Sequence, residues 1–223
     1  MPLNILHISD VHLSATKLKD FEFVRDALLR DLPDQIKNIR PHLLIFSGDM
    51  VHAGGNDDDF YVAHQQLIEP LLRLLELPSN RFLIVPGNHD VDRDEVRNDP
   101  VNEDGQFTSL SNREAVNAFI DRNIRKPREN FYFRRLEKFR EYSQAAMEVQ
   151  YIRDTHFFTT HKIELEGRTV GIACINTAWR STGEENRDYG RLLMGERTVS
   201  EAVTDLDGVR LAPRSFSSPI IVA

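Results

Sequence analysis

Short apolar runs alternate with longer stretches of helical spacing through the first part of the chain. Leu3 to Ile8 is a short apolar run that reads as a strand. From Phe21 to Ile39, apolar residues recur near helical spacing (Phe21, Val24, Leu28, Leu32, Ile36), predicting a helix that Pro33 should kink or split. His42 to Ser47 is a second strand. Phe60 to Leu77 is a second helix, with Leu67, Leu71, Leu74 and Leu75 on its apolar side and an irregularity expected at Pro70. Arg81 to Val85 is a third strand, ended by Pro86-Gly87. This order predicts an α/β fold with parallel strands joined by right-handed crossovers. Beyond it, residues 91–112 read as a long polar loop, and residues 113–150 as helical, broken near Lys126-Pro127. His156 to Leu165 and Arg168 to Asn176 predict a hairpin turning at Glu166-Gly167. A charged loop with Trp179 follows, then a last helix over Glu196 to Leu206. Val209 to Ala212 reads as the start of a strand.

Each of the first three strands is followed by a short polar segment: Asp10-Val11-His12, Gly48-Asp49 and Gly87-Asn88-His89-Asp90. In parallel sheets, ligand sites lie beyond the carboxyl ends of the strands, where all three segments fall. Strand alternation would turn Asp10 and His12 to the same side, so that both could grip one ion. Gly48 permits a sharp exit that brings the Asp49 carboxylate inward. Asn88 offers an amide oxygen, His89 a proton for a leaving oxygen, and Asp90 a carboxylate to orient that imidazole. Carboxylates suit hard divalent ions, and imidazoles shift the preference towards Mn, Fe, Ni or Zn. Two such ions roughly 3.5–4 Å apart neutralise a phosphoester and acidify a water.

Composition narrows the setting. A chain of 223 residues with 40% hydrophobic and 28% charged content can bury one sizeable core, and a single domain is expected. The one cysteine, Cys174, cannot form an internal disulfide, which fits a reducing, cytoplasmic compartment. Met1 to His7 enters a strand at once, with no basic region before an apolar core, and does not read as a signal peptide. No apolar run approaches membrane-spanning length, so no membrane partner is expected. The net charge of −7 weighs against a general nucleic-acid binder, although two bound cations would offset part of it.

Taken together, D-x-H, G-D and G-N-H-D, about forty residues apart and in this order, resemble the motifs of the calcineurin-like metallophosphoesterase superfamily. The compact opening resembles its cyclic-nucleotide-phosphodiesterase-like branch. The resemblance covers residues 1–90 well and 155–212 loosely. It implies a two-sheet αββα sandwich with a helical insertion over about 113–150. It also implies a metal-dependent phosphoester hydrolase, a phosphodiesterase acting through metal-bound hydroxide at a dinuclear centre. Asp10 and His12 would hold the first divalent ion, Asp49 would bridge, and Asn88 would hold the second. His89 would contact phosphate and protonate the leaving oxygen, supported by Asp90. Substrates implied by the family include cyclic nucleotides, other nucleotide diesters, phosphoprotein and nucleic acid, the last less favoured here.

The family's later His-His-Pro-like and Gly-His-x-His segments are missing, and no histidine follows His161. His156 and His161 lie too early, on the hairpin, and read as ordinary strand histidines. The domain is therefore expected to be truncated at its carboxyl end, with weak metal affinity. If Ser215 to Pro219 were encoded AGT TTT TCA TCA CCC before an A, a one-base shift would read Val-Phe-His-His-Pro. A frame change near Ala212 or Pro213 is one expectation. A catalytically impaired remnant, or an amino-terminal module working through partner contacts, is the competing class.

Other features weigh less. Residues 113–140 carry nine basic residues against four acids, interleaved with Phe119, Phe131, Tyr132, Phe133 and Phe139. They could grip an anionic substrate, but inward-packed aromatics with solvated charges is the favoured reading. His52 is a candidate for the cleft. Asp57-Asp58-Asp59 reads as helix capping, Asp92 and Asp94 as solvated loop acids, and Cys174 as a small core residue. Asn176 and Thr177 end a strand on the active edge.

Overall fold

The run Leu43–Ser47 becomes the middle strand of a parallel sheet, buried on both faces, which is why its apolar character is unbroken. The computed structural model describes residues 2–98, 109–125, 131–190, 192–210 and 220–222. Its first sheet runs β1 (Ile5–Ile8), β2 (Leu43–Ser47), β3 (Phe82–Val85), all parallel. β1 lies at the edge, and its burial alternates. α1 (Leu18–Ile36) joins β1 to β2 and passes through Pro33 without a break. Pro33 cannot donate to the Leu29 carbonyl, yet one further turn of helix follows it.

The second helical run is continuous but not uniform. α2 (Asp57–Ala63) passes through a π turn (His64–Ile68) into α3 (Glu69–Leu74). Pro70 stands in the first turn of α3, directly after the π turn, in which Glu69 N donates to His64 O. Downstream, the structure departs from the sequence expectation at two places. The expected polar loop 91–112 contains α4 (Arg93–Arg97), because buried Asp92 caps it by accepting from the Asp94 and Glu95 amides (2.9 and 3.3 Å). The expected strand at Val209 is instead the end of a helix. The basic segment supplies α5 (Arg113–Asn123) and α6 (Glu137–Ala146). The expected break at Lys126-Pro127 lies outside the described residues.

The second sheet runs β4 (Tyr151–Asp154), β5 (Phe158–Leu165), β6 (Arg168–Ile175) and β7 (Ile220–Val222). β5 and β6 form the predicted hairpin. Glu166 (φ 50°) and Gly167 (φ 76°) make its turn, both left-handed, as a two-residue connection with the twist of its strands requires. Along β6, Val170, Ile172 and Cys174 face the first sheet's core, while Ala173 and Ile175 face a second cluster with Phe119, Phe157 and Trp179. The period of two thus separates two apolar layers. α7 (Glu185–Asp188) is short, and α8 (Glu196–Arg210) packs on β5 and β6. The result is a two-sheet αββα arrangement. Val209 and Arg210 belong to α8. Residues 211–219, and with them the expected frame change, lie outside the described residues. Among the described residues, no helix is long and apolar enough to cross a membrane.

Candidate metal centre

The loops after β1 and β2 run side by side. Asp10 N donates to Gly48 O (3.1 Å), His12 N to Asp49 O (2.9 Å), Leu13 N to Met50 O (3.0 Å), and His52 N to Leu13 O (2.8 Å). β1 itself ends at Ile8, so strand alternation is not what aligns Asp10 with His12. Both residues are left-handed instead (φ 57° and 49°), as is Asp49 (φ 57°). For residues bearing a Cβ, each such conformation costs about 1–2 kcal/mol. The loop-to-loop hydrogen bonds hold it in place. Asp59, buried in the first turn of α2, accepts from Ala15 N (2.7 Å) and ties down the far end of the first loop.

Two glycines bring the second and third loops into contact. A Cβ at Gly48 (φ 95°) would lie 2.9 Å from the Gly87 Cα, and one at Gly87 would lie 2.2 Å from Asp49 Oδ1. Only the absence of both side chains lets the Asp49 carboxylate reach the His89 amide, which donates to Oδ1 (2.8 Å). Asn88 sits half-buried on the same turn, between Gly87 and His89.

Asp90 does not orient the His89 ring, as the sequence led us to expect. It is fully buried and uses both oxygens on backbone: Oδ2 accepts from Asp49 N and Gly87 N (both 2.9 Å), and Oδ1 from Val51 N (3.0 Å). Burial pushes its carboxyl up to about 7, against the pull of the Gly87 and Val51 amides. It pins one loop to the other. The His89 ring takes another partner: Nδ1 donates to the His52 carbonyl (3.0 Å), since a carbonyl can only accept. The neutral ring therefore keeps its lone pair on Nε2.

Two donor groups overlap at His12. Ligand atoms of Asp10, His12 and Asp49 lie within 4.8 Å of one another, as do those of His12, His52 and His89. His12 Nε2 is 3.9 Å from Asp49 Oδ2, and the His12 and His89 rings meet edge-on at 4.4 Å. His12 Nδ1 is buried with no hydrogen-bond partner among the described residues. Desolvation, followed by the charge of Arg93, holds the His52 imidazole below its ordinary pKa. Two carboxylates with three imidazoles, one nitrogen unserved, are a donor set that fits divalent cations. His52 contributes more than its sequence context indicated, because it reaches the cluster by folding back over Leu13.

The remaining candidates have other partners. His161 Nε2 pairs with Thr159 Oγ1 (2.7 Å) inside the second sheet, and the buried His156 ring stacks on Phe133 and bonds Arg140. Asn176 uses its amide on His156 O and Ala178 N. Asp92 is a buried cap paired with Lys138 (3.2 Å), not a solvated acid. Phe119, Phe133 and Phe139 point inward, and Arg135 is buried against Ser181 O (2.8 Å). The basic segment is thus a packed layer where it is described; side-chain positions for Phe131 and Tyr132 lie outside the description. Burial pushes the Cys174 thiol up to about 12, consistent with a core residue.

Comparison with known proteins agrees with this geometry. The sequence profile of the family described as calcineurin-like phosphoesterase matches residues 3–190. An uncharacterized metallophosphoesterase-like protein, YydB of Bacillus subtilis (strain 168), is 23% identical over 208 residues, which is 93% of this chain and 39% of that protein. The chain therefore spans about two fifths of the length of the relative it matches.

Proposed function

The chain belongs to the calcineurin-like phosphoesterase family, and from that premise we propose that it is a phosphodiesterase working at a dinuclear metal centre. The family's chemistry is metal-dependent phosphoester hydrolysis. The observation that carries the finer reading is the pair of donor groups sharing His12. Asp10, His12 and Asp49 would hold the first ion, and Asp49 would be shared with a second. His52 and Asn88 would serve that second ion, beside His89. When bound, two divalent cations such as manganese would neutralise the phosphate oxygens and acidify a water for in-line attack.

The chain's own residues do the rest. The Gly48–Gly87 approach admits the Asp49 carboxylate. Asp90 fixes the distance between the loops that carry Asp49 and His89. With Nδ1 held by the His52 carbonyl, His89 has Nε2 left over, and a second proton carried there would pass to the leaving oxygen. We take nucleotide diesters, cyclic nucleotides among them, as the substrate class, with nucleic acid second. One domain over 1–223, acting in the cytoplasm, is part of the same reading, and the buried lone cysteine fits a reducing compartment.

Manganese-dependent hydrolysis of bis(p-nitrophenyl) phosphate tests this. Asp49→Asn keeps an oxygen to accept the His89 amide but removes the charge, and turnover should fall at least about hundredfold. Turnover insensitive to that change would overturn the assignment. No turnover with wild type would favour the competing reading, a non-catalytic unit working through partner contacts.

A further inference from the structure

Arg93 stands at the edge of the cluster, beside the His52 carbonyl. Among the described residues it makes no ion pair, whereas Arg97 on the same short helix pairs with Asp94 and Glu184. Its Nη2 donates to the His52 carbonyl (3.1 Å), and its buried Nε has no partner among the described residues. An unpaired, partly desolvated arginine costs stability unless something anionic meets it.

The side chain is also deliberately seated. A Cβ at Gly183 (φ 77°) would lie 2.9 Å from Arg93 Cγ and 3.3 Å from Nε, so the arginine stem lies in the space this glycine leaves. The Thr182-Gly183 turn is held by buried Asp188. That carboxylate accepts from Thr182 N (2.6 Å), Thr182 Oγ1 (2.9 Å) and Gly183 N (2.8 Å). A loop some ninety residues downstream is thus built around Arg93 rather than around a neighbouring acid.

The His52 carbonyl that holds Arg93 also holds His89 Nδ1. Arg93 therefore lies on the His89 side of the centre. We propose that Arg93 anchors the substrate there and selects phosphoesters whose leaving group carries a second anionic group, such as a further nucleotide phosphate. This rests on the reading of His89 as the donor to the leaving oxygen. A guanidinium fork grips phosphate in two places, which a lysine cannot reproduce.

The test compares thymidylyl-thymidine with its two terminally phosphorylated forms, pTpT and TpTp, in manganese, separating kcat from KM. One phosphorylated form should be preferred about tenfold in kcat/KM, as expected for one charge-assisted contact. In Arg93→Gln the preference should fall below about threefold through KM, and Arg93→Lys should restore only part of it. A preference absent from wild type, or unchanged in Arg93→Gln, overturns the proposal. A purely structural Arg93 would lower all three substrates equally. If wild type hydrolyses no diester, the phosphodiesterase reading fails separately. Calorimetric binding of adenosine 3′,5′-bisphosphate against adenosine 5′-monophosphate then decides the anchor: Arg93→Gln either erases a roughly tenfold preference or overturns the proposal.

Discussion

The Asp49 carboxylate occupies the space that a side chain at Gly87 would need: a Cβ there would stand 2.2 Å from Oδ1 and 2.5 Å from the Asp49 nitrogen. Two motifs that are far apart in sequence are therefore parts of one contact. The glycine of the third loop is selected by the acid of the second.

Gly87→Ala should accordingly act at a distance. The new methyl meets backbone as well as carboxylate, so the two loops must part. Overpacking of this kind costs about 1–3 kcal/mol. Urea unfolding should register that loss. Manganese should also raise the melting temperature less in the variant than in wild type, since Asp10, His12 and Asp49 no longer converge. An unchanged response to manganese would count against the shared-contact account.

Asp90→Ala should be more damaging to folding than to any proton transfer. It strands three backbone donors at Asp49, Val51 and Gly87. Unsatisfied buried donors cost about 1–3 kcal/mol each, and a loss of at least about 3 kcal/mol is expected in equilibrium unfolding. Protein that melts like wild type yet has lost turnover would point back to a role on His89.

His161 gives stability a pH dependence. Burial in β5 holds its imidazole down to about 4, below the ordinary 6.5. Between those values the unfolded chain binds a proton that the folded chain does not, so stability falls as pH drops through 6.5 and stops falling below about 4. Between pH 7 and pH 5 this group should remove about 2 kcal/mol. His161→Gln should flatten that slope in urea titrations at the two pH values; an identical slope would exclude His161 as its source.

Much of this architecture was legible in the chain because its causes are local. Three apolar runs bounded by glycine, proline and acid predict β1, β2 and β3, and Glu166-Gly167 predicts a hairpin turn whose left-handed backbone is read from two adjacent residues. β4 was not legible. Tyr151-Ile152-Arg153-Asp154 is short and charged, and Arg153 is accommodated by Glu201 and Asp205 of α8, some fifty residues away. Nor was α4, whose cap Asp92 looks like any loop acid until Lys138 arrives beside it.

At the site, the sequence by itself determined which residues lie beyond the carboxyl ends of the strands, since that depends only on where each apolar run stops. Tertiary structure decided how they are used. It turned Asp10, His12 and Asp49 left-handed, brought His52 to the cluster, assigned Asp90 to three amides and left Arg93 without an ion pair among the described residues. Each of those outcomes depends on which buried polar atom finds a partner across loops some forty to ninety residues apart. A pattern along the chain records where polarity falls, but hydrogen bonds are satisfied in space.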